Sequence, residues 1–156
     1  RQEYTDNYLK REDLNPEINK FLEKCYKLDY DVCIISGGFR TIIQEYILKG
    51  YLNIDQNYIF SNQLKFNQKQ EIIGFIDSNL NYSDGKVKIV KGLKNKYNTV
   101  ITIGDGSTDL STKEHVDYFI AFTKYASREN VVENSEYETD SFEWISQFID
   151  NLDRNS

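Results

Sequence analysis

Two acids just past the end of a strand carry the first chemical signal. Val100 to Ile103 is a short apolar run that reads as a buried strand, and it stops at once in Gly104-Asp105-Gly106. Glycines on both sides of an acid let the backbone turn sharply and approach a ligand closely. A second acid, Asp109, follows four residues later, where a helix can begin. The crevice at the C-terminal ends of the strands is where an open α/β sheet binds its ligand. Oxygen-only donors in that place suit Mg²⁺ better than zinc. Neighbouring carboxylates oppose each other's ionisation unless cations intervene. A metal on Asp105 and an ion pair from Asp109 to a lysine resolve that conflict. Lys86 is the candidate lysine, because it stands at a helix start, where a cation opposes the helix dipole unless something negative holds it. Lys88 competes with it on spacing.

A second group is Ser36-Gly37-Gly38, at the end of another apolar run and directly before a helix. A hydroxyl and successive backbone N–H groups at a helix N-terminus make a phosphate cradle. Arg40 is close enough in sequence to reach the same anion. Other chemistry-bearing residues read as structural. His115 lies in a charged loop, Trp144 has no assigned role, and Cys25 and Cys33 sit in a helix stripe and a strand as packed free thiols.

The elements that must position these groups follow from periodicity. Asn15-Pro16 starts a helix, with an N-cap residue followed by proline at the first helical position. Ile18, Phe21, Leu22 and Cys25 form its apolar stripe to about Leu28. Val32-Cys-Ile-Ile35 is a strand of the kind covered on both faces. A helix follows with Phe39, Ile42, Ile43, Tyr46 and Ile47 inward and Gly50 as its stop. Tyr58 to Phe60 is a strand, and Leu64-Lys-Phe66 with Glu71 to Ile76 is an antiparallel hairpin around polar Asn67 to Gln70. After a loop over Asp77 to Gly85, Lys86 opens a helix with Ile89, Val90, Leu93 and Tyr97 inward. Thr99 to Ile103 is the strand before the two acids. Asp117 to Phe122 is another strand, Ser127 to Val132 a short helix, and Ser141 to Leu152 a terminal helix. This alternation specifies an α/β fold, a doubly wound parallel sheet with a small antiparallel hairpin.

The totals exclude several classes. At 156 residues the chain can bury a real core, and 39% hydrophobic with 28% charged residues is ordinary for a soluble protein. A formal charge of -6 argues against nucleic acid or an anionic membrane as the main partner. No apolar run approaches a membrane span and no signal peptide is visible, and with two packed thiols this points to a reducing, cytoplasmic setting. The chain begins with Arg1 and contains no methionine, which reads as a start other than the native one.

Ile35-Ser-Gly-Gly-Phe-Arg40, then Lys86, then Ile103-Gly-Asp-Gly-Ser-Thr-Asp109 resemble the second, third and fourth motifs of the haloacid-dehalogenase superfamily, and most of all its phosphoserine phosphatases. The hairpin from Ser61 to Asp77 is similar as well, and the likeness runs from about Leu14 to about Ile149. The resemblance implies a Rossmann-like three-layer α/β sandwich and Mg²⁺-dependent hydrolysis of a phosphomonoester through an aspartyl-phosphate. By position, Ser36, Gly37 and Gly38 would hold the phosphoryl oxygens, and Lys86, held by Asp109, would neutralise nucleophile and phosphate. Asp105 would bind Mg²⁺, and Gly106 and Thr108 would contact substrate. The implied substrate is a small phosphorylated metabolite, phosphoserine, in serine biosynthesis.

The pattern also departs from that family. Its first motif, an apolar strand ending in Asp-x-Asp-x-Thr or Val, has no counterpart before Ser36. Asp29 and Asp31 precede the strand that ends at Ser36, so they sit a strand length (roughly 17–20 Å) from the phosphate end. The helical cap is missing too. Residues 1–14 therefore read as a linker or the remnant of an upstream cap, and 15–156 as the C-terminal part of the core. In the family the missing strand lies between the strands ending at Ser36 and Ile103, so its absence leaves two apolar edges with unpaired ladder groups. The expectation is that an upstream segment or a partner chain supplies the strand, or that the sheet rearranges over the gap. The chain alone is expected to be inactive and not to fold stably as a monomer. Two other functions fit the same residues: a non-catalytic module binding phosphate, metal or a partner, and a phosphatase for another small phosphomonoester such as a methionine-salvage intermediate.

Overall fold

The computed structural model describes residues 9–155. The chain forms two compact units, Arg1–Ile76 with Phe142–Ser156, and Asp77–Ser141. Of the expected N-terminal linker, residues 1–8 lie outside the described residues, and a single 3-10 turn, Arg11–Asp13, follows them.

In the first unit the Asn15 side chain accepts a hydrogen bond from the Glu17 amide at 2.9 Å, and helix α1 runs over Ile18–Lys27. Its apolar stripe buries Phe21, Leu22 and Cys25. The terminal helix of the chain, α6, spans Phe142–Arg154 and belongs to this unit. It packs on α1 through Ile145 and Ile149, with the Phe21 and Phe142 rings 4.8 Å apart. Lys24 pairs with Asp150 at 2.9 Å, and the Glu17 carboxylate caps α6 by accepting from the Phe142 amide at 3.0 Å. The Lys24 hydrogen bond and the Arg154 charge hold the Asp150 carboxyl below its ordinary pKa.

Strand β1, Ile34–Phe39, pairs in parallel with β2, Ile59–Asn62, and helix α2, Arg40–Leu48, makes the crossover. Here the strand starts later and ends later than its apolar run. The ladder runs Ile34–Ile59, Ile35–Phe60, Ser36–Ser61 and then slips to Phe39–Asn62, leaving Gly37 and Gly38 in an irregularity. Residues without a side chain let a strand bulge and bend in this way. The core of the unit gathers Leu22, Leu52 and Ile54, with Ile18, Val32, Ile34, Ile43, Tyr46 and Ile47 against them. Ile42 and Phe39, expected inward, are turned out. Ile43, Tyr46 and Ile47 already form the i, i+3, i+4 stripe, and Ile42 lies one residue, about 100°, off it. Phe39 belongs to the strand and stacks on Phe75, with ring centroids 5.9 Å apart. Gly50, at φ 68°, ends the helix segment as expected. The hairpin is present as read: β3, Leu64–Phe66, pairs antiparallel with β4, Ile72–Phe75. The Asn67 side chain accepts from the amides of Lys69 and Glu71 to close its turn.

The second unit contains helix α3, Gly85–Lys96, then β5, Ile101–Gly104, the one-turn helix α4, Ser107–Leu110, β6, Tyr118–Phe122, helix α5, Glu129–Glu133, and β7, Tyr137–Thr139. The three strands are parallel in the order β5-β6-β7. Phe119, Ala121 and Val131 centre its core. Strand β7 was not expected, because Tyr-Glu-Thr is too short to show a period. Asp117 ties the start of β5 in place: its carboxylate accepts from the Val100 amide at 2.7 Å and from Lys94 at 2.6 Å. Burial alone would raise that carboxyl, but the Lys94 and Val100 hydrogen bonds hold it below its ordinary pKa.

The architecture is the expected α/β fold with parallel ladders and one antiparallel hairpin. Among the described residues β1 pairs with β2 alone and β5 with β6 alone, so each keeps one edge without a ladder. No described helix is long and apolar enough to cross a membrane. Both cysteines are free thiols, and burial pushes the Cys25 thiol up to about 11. A thiol raised by folding lowers stability only where the unfolded chain has ionised first. Its contribution is therefore intact below about pH 9 and lost as pH rises through 11. The urea midpoint of the wild type should fall toward that of Cys25→Ala between these pH values, and native-state alkylation at pH 8 should spare Cys25.

Candidate active site

Strand β5 delivers the chain into Gly104-Asp105-Gly106, and α4 then places Asp109 at the third residue of a single turn. The Asp109 carboxylate accepts from the Gly106 amide at 3.0 Å through Oδ2 and from Lys86 Nζ at 2.6 Å through Oδ1. The side chains of Lys86 and Asp109 are only 19% and 18% exposed. Both oxygens are thus engaged, and the pair is largely shielded from water.

Glycines set this arrangement. A Cβ on Gly104 would stand 2.3 Å from Asp109 Cγ and 2.4 Å from its Cβ, so no side chain fits there. A Cβ on Gly85 would stand 2.1 Å from the Asn79 carbonyl oxygen, so the first residue of α3 is also restricted to glycine, and Lys86 follows it directly. Buried Thr112 fixes the other side. Its hydroxyl donates to the Asp109 carbonyl at 2.7 Å and lies 2.9 Å from the Thr102 hydroxyl on β5. Lys88 goes elsewhere, pairing with Asp84 at 3.0 Å and lying over the Tyr82 ring. Lys86, not Lys88, is therefore the lysine that meets Asp109.

Asp105 has a different partner. Nη1 of Arg128, in the residue before α5, donates to its carboxylate at 2.5 Å and to its backbone carbonyl at 2.9 Å. This pair is open to solvent, with 43% of the Asp105 and 54% of the Arg128 side chain exposed. Nothing in residue spacing pointed to Arg128. It is brought to Asp105 by the parallel pairing of β5 with β6 and the loop that follows β6. The donors present fit a hard divalent ion in one respect only. Asp105 offers an exposed carboxylate, whereas Asp109 is fully engaged, and no group of three potential ligands occurs among the described residues. Mg²⁺ commonly takes one or two carboxylates and completes its shell with water and substrate phosphate. One carboxylate from this unit is compatible with that habit. Thr108 is exposed beside these groups.

In the first unit, Ser36, Gly37 and Gly38 form their own cluster. The Ser36 hydroxyl accepts from the Gly38 amide at 3.0 Å, and the Gly37 carbonyl accepts from the Asn62 side chain at 2.9 Å. The expected row of free N–H groups is therefore shortened, because Gly38 donates to the serine beside it. Arg40 does not reach toward an anion. It donates to the carbonyls of Ile59 at 2.6 Å and Gln56 at 2.8 Å, so its guanidinium is held by main-chain oxygens of the first unit. Ser61, across the ladder from Ser36, is buried with no hydrogen-bond partner for its hydroxyl among the described residues. Asp29 and Asp31 precede β1 and lie at its N-terminal end, as expected. His115 sits in a 3-10 turn, Lys113–His115, where its amide donates to the Thr112 carbonyl at 2.9 Å, and Trp144 stacks on Phe148 at 5.5 Å in α6.

A strand that ends in a glycine-bracketed acid, a second acid locked to a helix-start lysine, and a serine-glycine bulge on a separate parallel strand together define a class. The chain belongs to the haloacid dehalogenase-like hydrolases, whose family profile matches residues 1–113. It is 36% identical over 142 residues to the phosphoserine phosphatases of Bos taurus and Homo sapiens, covering 89% of this chain and 60% of each of theirs. It is 33% identical over 154 residues to the chloroplastic phosphoserine phosphatase of Arabidopsis thaliana, covering 96% of this chain and 51% of that one. Among solved structures, a phosphoserine phosphohydrolase-like protein from Francisella tularensis superposes with a TM-score of 0.79 at 26% identity, over 95% of this chain and 68% of that one. The chain thus spans between 51% and 60% of the length of these curated relatives.

The contact at Gly104 makes a sharp test. Gly104→Ala should destabilise the second unit by about 2–3 kcal/mol through overpacking, read as a lower urea midpoint. In an Asp109→Gly background, where the clashing atoms are gone, the same change should cost far less.

Proposed function

We propose that this chain is the part of a Mg²⁺-dependent phosphomonoester hydrolase that receives and neutralises the transferred phosphoryl group, with phosphoserine as substrate. The observation that carries the reading is the separation of the two acids: Asp109 is shielded and committed to Lys86, while Asp105 keeps an exposed carboxylate. A lysine held that way presents a fixed positive charge that needs no reorganisation when charge develops on a phosphoryl oxygen. Asp105 is the residue assigned to the metal, with Arg128 in that position in the present structure. The bound ion would stabilise negative charge on the phosphoryl group. Ser36 is assigned to a phosphoryl oxygen. Its hydroxyl already accepts from Gly38 and keeps its own hydrogen to donate. Gly37, Gly106 and Thr108 are assigned to contacts with phosphate and substrate. The attacking carboxylate is assigned to a segment outside these 156 residues or to a partner chain, because no strand before Ser36 ends in Asp-x-Asp. The names of the relatives support phosphoserine as the substrate, and a cytoplasmic setting is part of the same proposal.

A second reading, a non-catalytic module, is favoured by one feature: Arg128 already neutralises Asp105. Turnover separates the two. The intact protein, assayed for phosphate release on phosphoserine beside a panel of other small phosphomonoesters, should prefer phosphoserine. Asp105→Asn and Lys86→Ala should each lower kcat by about 10²–10³-fold. Undiminished turnover by Asp105→Asn would remove the metal role, and no turnover of any phosphomonoester by the intact protein would leave the binding module. Residues 1–156 alone should be inactive, and hydrolysis by them would overturn the assignment of the nucleophile to another segment.

A further inference from the structure

Arg128 stands outside every motif considered above, yet its guanidinium makes the closest polar contact of the acid assigned to the metal. One nitrogen, Nη1, donates to both the carboxylate and the backbone carbonyl of Asp105. It therefore fixes the main chain of the Gly104-Asp105-Gly106 turn as well as the side chain. The residue comes from the loop between β6 and α5, so the contact also ties that loop to the end of β5. The ion pair is solvated on both sides, and exposed pairs of this kind are weak and readily exchanged. A divalent ion brings twice the charge to the same oxygens and packs more closely, at about 2.0–2.1 Å for Mg²⁺. A guanidinium and Mg²⁺ on one carboxylate would also repel each other across a few ångströms.

We propose that Arg128 is an internal stand-in for the metal. It holds Asp105 and the turn in shape when no divalent ion is bound, and Mg²⁺ binding displaces it, releasing the loop between β6 and α5. Arg128 is a positioning residue on this account, and its occupancy of Asp105 and that of Mg²⁺ are mutually exclusive. The proposal rests on the assignment of Asp105 to Mg²⁺. Lys86 takes no part in the exchange, because both oxygens of Asp109 are engaged by Lys86 and the Gly106 amide.

Two measurements on the intact protein test this without any assay of turnover. The first is Mg²⁺ affinity by isothermal titration calorimetry for the wild type, Arg128→Gln and Asp105→Asn. Removal of a competing exposed ion pair should tighten Mg²⁺ binding in Arg128→Gln by about two- to fivefold, and Asp105→Asn should lose binding. The second is modification of Arg128 by phenylglyoxal, mapped by mass spectrometry. In the wild type the rate should rise several-fold on saturation with Mg²⁺, and in Asp105→Asn it should be fast from the start and indifferent to Mg²⁺. Equal or weaker Mg²⁺ binding by Arg128→Gln, or labelling of Arg128 that bound Mg²⁺ leaves unchanged, overturns the exchange while leaving the metal at Asp105. Absence of Mg²⁺ binding in both wild type and Arg128→Gln, or binding that survives Asp105→Asn, overturns the metal assignment and the exchange with it.

Discussion

The Asp109 carboxylate has one oxygen on the Lys86 ammonium and the other on the Gly106 amide, and the second unit is shaped around that contact. A lysine in the first turn of a helix opposes the dipole, which costs about 0.3–1 kcal/mol. Leaving Asp109 shielded without its cation would cost more, about 2–3 kcal/mol once the remaining exposure is discounted. The pair therefore wins, and Lys86 is held where a helix alone would disfavour it. The requirement spreads through the backbone. Asp109 can approach only because position 104 has no side chain, and Lys86 follows Gly85, which packs its backbone against the Asn79 carbonyl. Thr112 and Thr102 then anchor the same turn to β5.

Two acids four residues apart thus acquire opposite characters from their surroundings. Asp109 lies in a place where water is largely excluded, so its ion pair is little screened. Asp105 lies in the open, where an ion pair contributes about 0–1 kcal/mol and partners can change. Burial, rather than residue type, makes the distinction, since both residues are aspartates within four positions of each other.

Much of this was legible before the structure. Glycines around an acid, a lysine opposing its helix dipole and a second acid four residues on suggested the pairing of Lys86 with Asp109, with Lys88 as a competitor, and the family resemblance favoured Lys86. The α1 stripe and the hairpin were equally plain, since each repeats its period over several residues. What was hidden depended on contacts far apart in sequence. Arg128 reaches Asp105 only through the β5–β6 pairing, and Arg40 bonds the carbonyls of Ile59 and Gln56 because β2 lies beside β1. Strand β7 is three residues long and owes its existence to the neighbouring β6 edge rather than to its own sequence. The end of β1 was misplaced for a related reason. Glycines signal a turn locally, but here the ladder resumes past them at Phe39.

The open edges of β1 and β5 are the remaining physical demand. The three parallel strands of the second unit allow an internal comparison. β6, with a neighbour on each side, buries Phe119 to Phe122. β5 carries Ile101, Thr102 and Ile103, an equally strand-like sequence, yet every one of its residues stays partly exposed. Among the described residues β6 has a ladder on each side and β5 on one only. β1 shows the same deficit, with no fully buried residue along its length. Unpaired strand edges flanked by apolar residues attract another strand. Each edge strand also leads directly into proposed chemistry, β5 into Asp105 and β1 through Ser36. A strand that satisfied either edge would therefore run alongside these residues. Its own C-terminal end, if parallel to β5, would fall beside the Gly104-Asp105-Gly106 turn.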